Sequence, residues 1–81
     1  MPIRALIGCI IEHKALKQVI AEFEKIPEIT KVFALTGDMD VLAEIVVDST
    51  EELYEIFSTK IDLIEGIKET NTHLVMNSWE K

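Results

Sequence analysis

The densest group of residues able to do chemistry in this chain is Gly37-Asp38-Met39-Asp40. It sets two carboxylates two positions apart in a short polar break. The glycine beside them can take φ > 0 or let another backbone or a ligand come close. Neighbouring negative charges repel, so such a turn is favoured near a cation, a backbone amide or an ammonium group. A second run, Thr70-Asn71-Thr72-His73, carries two hydroxyls. On a strand they would point the same way, about 7 Å apart. Two readings of the turn stay open at this point: a solvated acidic bend, or a recognition turn for something carrying an amine.

The other reactive side chains form no matched constellation. Cys9 is the sole cysteine, so it has no internal disulfide partner, and its place in a strand-like run reads as a buried, inert thiol. His13, His73 and Cys9 lack metal-ligand spacing, and Asp38 with Asp40 falls short of a calcium loop. No metal and no cofactor are expected. Removal of Met1 would make Pro2 a secondary amine near Arg4, as in small tautomerases, but nothing else confirms that chemistry. A dimeric barrel enzyme using His13 or His73 as acid or base is the other catalytic alternative, and His13 in a loop reads more simply as solvated. The expectation is a protein that is not an enzyme.

Bulk properties narrow the class further. The 81 residues suit one domain spanning 1–81, near the small end of what folds alone. A net charge of −7 without any basic stripe excludes gripping a phosphate backbone, so no direct nucleic-acid partner is expected. No apolar run is long enough to span a bilayer and the start does not read as a signal peptide, which points to a cytoplasmic protein without a membrane partner. A hydrophobic content of 48% is high for this length and implies a second buried surface, hence oligomerisation.

The elements that must position the turn follow from periodicity. Ile3 to Glu12 alternates as a strand with both faces apolar, Ile7 and Ile11 on one and Leu6 and Ile10 on the other. Leu16, Val19, Ile20, Phe23 and Ile26 make a helical stripe within His13 to Ile26, stopped by Pro27. Glu28 to Thr36 and Val41 to Asp48 form a hairpin around the acidic turn. Ser49 with Glu52 matches a capping box, opening a helix striped by Leu53, Ile56, Phe57, Ile61 and Ile64, with Gly66 as the residue after its end. A last strand runs from Ile67 to about Trp79, with Thr70, Thr72 and Leu74 on one face. Tyr54 and Trp79 read as packing or subunit-contact residues. The order β-α-β-β-α-β predicts an α+β, ferredoxin-like sandwich: a four-stranded antiparallel sheet, both helices on one face, dimerising through the other.

These features together resemble the effector-binding (RAM) domain of the leucine-responsive regulatory protein/AsnC (Lrp/AsnC) family of transcription regulators. The residues that carry the likeness are Leu35-Thr36-Gly37-Asp38-Met39-Asp40 with Val41-Leu42, the helix opening Asp48-Ser49-Thr50-Glu51-Glu52-Leu53, and Glu65-Gly66-Ile67 leading to Thr70-Asn71-Thr72-His73-Leu74-Val75-Met76. The likeness covers essentially the whole chain. No helix-turn-helix precedes Met1, so what is implied is a stand-alone RAM protein. It would bind an amino-acid effector, dimerise and assemble into a ring of dimers, an octamer or a decamer, with full-length Lrp/AsnC regulators as further partners. By the same likeness, Gly37, Asp38, Met39 and Asp40 would form the turn around the ligand and Asp40 would take its α-ammonium. Thr70, Thr72, His73 and Leu74 would line the site from the last strand, with Phe33 closing it. Met39 stands where many members have an aromatic residue. A purely structural assembly module without a ligand is the alternative.

Overall fold

Four strands build the sheet, with clean in-out alternation of burial only in the third, and the order in which they pair decides what the acidic turn can reach. The computed structural model describes residues 2–81. The elements are β1 (Ile3–Ile11), α1 (Leu16–Glu24), β2 (Ile29–Ala34), β3 (Val41–Val47), α2 (Thr50–Ile56, continued by a wider π-helical turn over Phe57–Ile61) and β4 (Ile67–Leu74). The sheet order is β2-β3-β1-β4, every neighbouring pair antiparallel. This is the expected ferredoxin-like arrangement, with β1 and β3 central and β2 and β4 at the edges.

One face of the sheet carries the core. Ala5, Ile7 and Cys9 of β1 and Val41, Ala43, Ile45 and Val47 of β3 are buried against Val19 and Phe23 of α1, Ile56 and Ile61 of the second helical segment, and Ile64 of the loop that follows it. The ambiguity over β1 is thereby resolved: Ile7 lies under the helices, and Leu6 and Ile10 lie on the open face. There they join Leu42 and Val46 of β3, all only half-buried, and Phe33 of β2, which is 46% exposed. Charge interrupts this apolar strip: Glu44 shares the face, between Leu42 and Val46 and opposite Leu6, and Arg4 lies beside Leu6 on β1. Glu44 draws Arg4 to 3.6 Å and accepts a 2.6 Å hydrogen bond from the Thr30 hydroxyl.

Local chemistry accounts for the element boundaries. The Ser49 hydroxyl accepts the Glu52 amide at 3.1 Å, while Glu52 reaches back to the Asp48 amide at 2.7 Å, one residue earlier than in the usual box. The π-helical turn has a visible cause. The Thr59 hydroxyl occupies the Glu55 carbonyl at 2.6 Å, and the Asp62 amide bonds Phe57 five residues back at 2.8 Å.

Three expectations need correction. α1 begins at Leu16, not His13, because Lys14 takes a left-handed backbone (φ 66) that no helix continues. Gly66 does not end the second helix, which closes at Ile61. Instead it turns at φ 99 into β4, with its carbonyl accepting the Glu12 amide at 2.6 Å. β4 stops at Leu74 rather than near Trp79. One further bond runs from the Val75 amide to the Arg4 carbonyl (2.9 Å), and β1 itself begins at Ile3, after Pro2, which has no amide hydrogen to offer.

Candidate functional site

The turn between β2 and β3 closes with the Leu35 amide on the Asp40 carbonyl at 2.9 Å, and Gly37 sits at φ 105 in open space. Asp40 is the residue that fixes it. Its amide donates to the Cys9 carbonyl at 2.9 Å, and its Oδ2 accepts the Ile11 amide at 3.0 Å. β3 has left the ladder by that level, so the carboxylate stands in for the missing backbone carbonyl. Asp38, by contrast, is exposed and makes no hydrogen bond among the described residues.

A cleft of about 490 Å³ opens at this end of the sheet, between the β1–α1 loop and the end of β2. Its apolar lining is Ile11, Leu16, Ala34 and Leu35; its polar lining is Asp40, Glu12, His13, Lys14 and Lys68. Two backbone irregularities bring the lysines here. Ile10 pairs with Glu69 but Ile11 pairs with Ile67, so Lys68 is the extra residue of a β-bulge, a device that re-aims a side chain. Lys14 owes its place to the left-handed turn of the β1–α1 loop. That turn is closed by the Ala15 amide on the Glu12 carbonyl at 3.1 Å and costs about 1 kcal/mol or more for a residue with a Cβ. Neither lysine forms an ion pair among the described residues. The cleft therefore presents two carboxylates and two ammonium groups over an apolar floor, a lining with charge separation but no net charge.

The expected site residues divide into two groups. Gly37, Asp38, Met39 and Asp40 form the turn, and Asp40 alone of these borders the cleft. Thr70 pairs with Cys9, near the same end, but Thr72 and Leu74 pair with Ile7 and Ala5. At about 3.3 Å per residue they lie roughly 7 and 13 Å farther down the strand. Thr70, Thr72 and Leu74 share the face covered by the helices, with Thr72 bordering a shallow groove against Leu53, Tyr54 and Phe57, whereas His73 is on the open face. Phe33 pairs with Leu42 on that open face too. Within one protomer the turn and the far half of β4 do not meet. Lys14 and Lys68 were missed as candidates; the Glu65-Gly66-Ile67 turn before Lys68 was the one local hint of irregular backbone there.

Cys9 is fully buried, and burial pushes its thiol up to about 11. Among the described residues no three His, Cys, Asp or Glu side chains gather as metal ligands would. No helix of the described residues is long and apolar enough to cross a membrane.

The fold is that of a small α+β, ferredoxin-like domain, and comparison with known proteins places it in a family. Residues 4–81 match the family model of the Lrp/AsnC ligand binding domain, and the chain belongs to that family. An uncharacterized HTH-type transcriptional regulator of Pyrococcus horikoshii is 33% identical over 71 residues, which are 88% of this chain and 45% of that protein. The structure of Escherichia coli AsnC superposes with a TM-score of 0.89 at 25% identity, covering 94% of this chain and 52% of that one. A Neisseria meningitidis transcriptional regulator solved as a complex with L-Met has a TM-score of 0.88 at 21% identity, covering 98% of this chain and 53% of that one. The chain thus spans about half the length of the curated relatives it matches. Those relatives are transcription regulators, not enzymes. The tautomerase and barrel-enzyme alternatives fall away with them. Arg4, which the first of these placed near Pro2, is turned toward Glu44.

Proposed function

We propose that this domain binds an amino-acid effector at the Asp40 cleft and self-associates through its open sheet face, so sensing or modulating transcription regulation without itself holding DNA. The observation that carries the reading is a carboxylate with one oxygen committed to the fold and the other uncommitted, bordering a cleft that also holds two unpaired lysines. An amino-acid zwitterion needs an acceptor for its ammonium and donors for its carboxylate. Asp40 Oδ1 supplies the first, and Lys14 and Lys68 supply the second, each charge-assisted bond contributing roughly 1.5–3 kcal/mol. Ile11, Leu16, Ala34 and Leu35 offer an apolar floor for a side chain. The L-Met complex of the Neisseria relative supports the ligand class.

The remaining site residues enter from a neighbouring copy. Gly37 and Asp38 are exposed on the turn, and Thr70, Thr72, His73 and Leu74 lie along an unpaired sheet edge. Phe33 sits on the face that a second copy covers. That face, with Leu6, Ile10, Leu42 and Val46, costs about 25 cal/mol for each Å² of apolar surface left in water. A homodimer removes the cost, and dimers joined edge to edge give the ring in which turn and β4 meet. The protein then works in the cytoplasm, alone or mixed with full-length Lrp/AsnC regulators, its net charge of −7 keeping it off DNA.

A thermal-shift screen of the twenty amino acids tests the ligand half. The expected result is a concentration-dependent rise for a few of them that Asp40→Asn and Lys68→Ala weaken. No rise with any of the twenty would leave an assembly module without an effector. Sedimentation of the wild type and of Leu42→Glu tests the other half. A wild type that sediments as a lone protomer in dilute buffer would remove the shared site.

A further inference from the structure

Met39 differs from its neighbours in the turn. Thr36, Gly37 and Asp38 are exposed, yet Met39 is half-buried, and its Sδ fills the volume that a Cβ at position 8 would need. Its Cε and Cγ stand 3.4 and 3.5 Å from that same point. Gly8 lies in mid-β1, bonded into the sheet on both sides, opposite Leu42 and Asn71. Its backbone is not left-handed, so no conformational demand calls for glycine there, and glycine within a strand weakens it. Close approach of Met39 is what the missing side chain permits.

The turn therefore straddles the end of the sheet. Residue 8 faces the same way as Leu6 and Ile10, so Met39 lies on the open face, while the next residue, Asp40, puts its carboxylate at the cleft. Three hydrogen bonds tether Asp40, to Cys9, Ile11 and Leu35. The thioether on Gly8 is a fourth tether, from the opposite side. The geometry points to Met39 as a positioning residue: seated on Gly8 it holds the Asp40 carboxylate in register with β1, and the same side chain forms part of the surface that a second copy covers. What happens on the sheet face and what happens in the cleft then bear on one side chain, and linkage makes the effect reciprocal.

The test needs no effector. Amide exchange of Ile11 and Asp40 is followed in the ligand-free protein for the wild type, Met39→Ala, Met39→Leu, Gly8→Ala and the double variant Gly8→Ala/Met39→Ala. The expected result is exchange at these two amides about tenfold faster in Met39→Ala and in Gly8→Ala, with core amides of β3 such as Ile45 unchanged. Met39→Leu restores protection. The double variant exchanges no faster than either single one, because both remove the same contact. In parallel, the self-dissociation constant measured by sedimentation rises about tenfold in Met39→Ala. Exchange at Ile11 and Asp40 within twofold of wild type in Met39→Ala would overturn the tether. An unchanged self-dissociation constant would overturn the link to the sheet face. These readouts stand or fall separately from any amino-acid screen, so failure here is distinguishable from absence of an effector.

Discussion

Asp40 can be tested as a structural group before it is tested as a receptor. Replacing it with alanine removes the acceptor of the Ile11 amide, a 3.0 Å bond in a half-buried setting. Hydrogen bonds to charged groups contribute roughly 1.5–3 kcal/mol, and partial exposure places this one near the lower end, about 1.5 kcal/mol. For a domain of this length 1 kcal/mol moves the melting temperature by roughly 4–8 °C, so Asp40→Ala should melt about 6–12 °C lower. Asp40→Asn keeps a carbonyl oxygen for the Ile11 amide but not the charge, and should lose about half as much. Asp38→Ala, at an exposed position without bonds, should stay within about 0.5 kcal/mol of wild type. Calorimetry at one fixed protein concentration measures all three, since self-association makes melting concentration-dependent. An Asp40→Ala protein melting within about 2 °C of wild type would refute the claim that this carboxylate replaces a ladder carbonyl. The same logic makes Asp40→Asn the better variant for effector studies, because it separates lost charge from a lost turn.

Ser49→Ala removes the hydroxyl that accepts the Glu52 amide and should cost about 1 kcal/mol, read from the urea midpoint at unchanged slope. Gly66→Ala meets both a left-handed backbone (φ 99) and the Ala15 Cβ at 2.8 Å, whereas Gly37→Ala meets only the backbone term. Gly66→Ala should therefore be the more destabilising of the two, by roughly 1–3 kcal/mol in the same urea experiment. Cys9 should resist alkylation in the native protein at pH 8 and label only as the chain unfolds, measured by mass spectrometry. Its thiol is raised in the folded state from an ordinary 9.0 to about 11, so the unfolded chain releases its proton first. Stability from this group is thus full below pH about 9 and falls as pH rises toward about 11, and Cys9→Ala should flatten that part of the profile.

What could be read from the chain and what could not divide along a physical line. The alternation of Val41, Ala43, Ile45 and Val47 and the capping pair Ser49 and Glu52 depend on neighbours within a few residues, and the structure has them as read. β1 was ambiguous because an apolar residue stands on both of its faces; only the crossing of the helices decides that Leu6 and Ile10 are left open. The acidic turn was legible as the bend of a hairpin, but the role of Asp40 in it was not, since the Ile11 amide that Asp40 satisfies is 29 residues away. Lys14 and Lys68 gave no signal because backbone irregularity brings them to the cleft, a left-handed residue in one case and a strand insertion in the other. A glycine in mid-strand leaves room at position 8, but the side chain that fills it, Met39, comes from the β2–β3 turn some thirty positions on, beyond the reach of any local pattern.

Between Ile67 and Glu69 the last strand carries one residue more than its partner can match. Excising Lys68 would let Ile67 and Glu69 follow Ile11 and Ile10 in an unbroken run, with every later pairing undisturbed. The shortened chain would be the tidier sheet and, under the proposed amino-acid reading of the cleft, the poorer receptor. That reading makes scaffold and reception separable by deleting a single codon, without enlarging a cavity or burying a new charge.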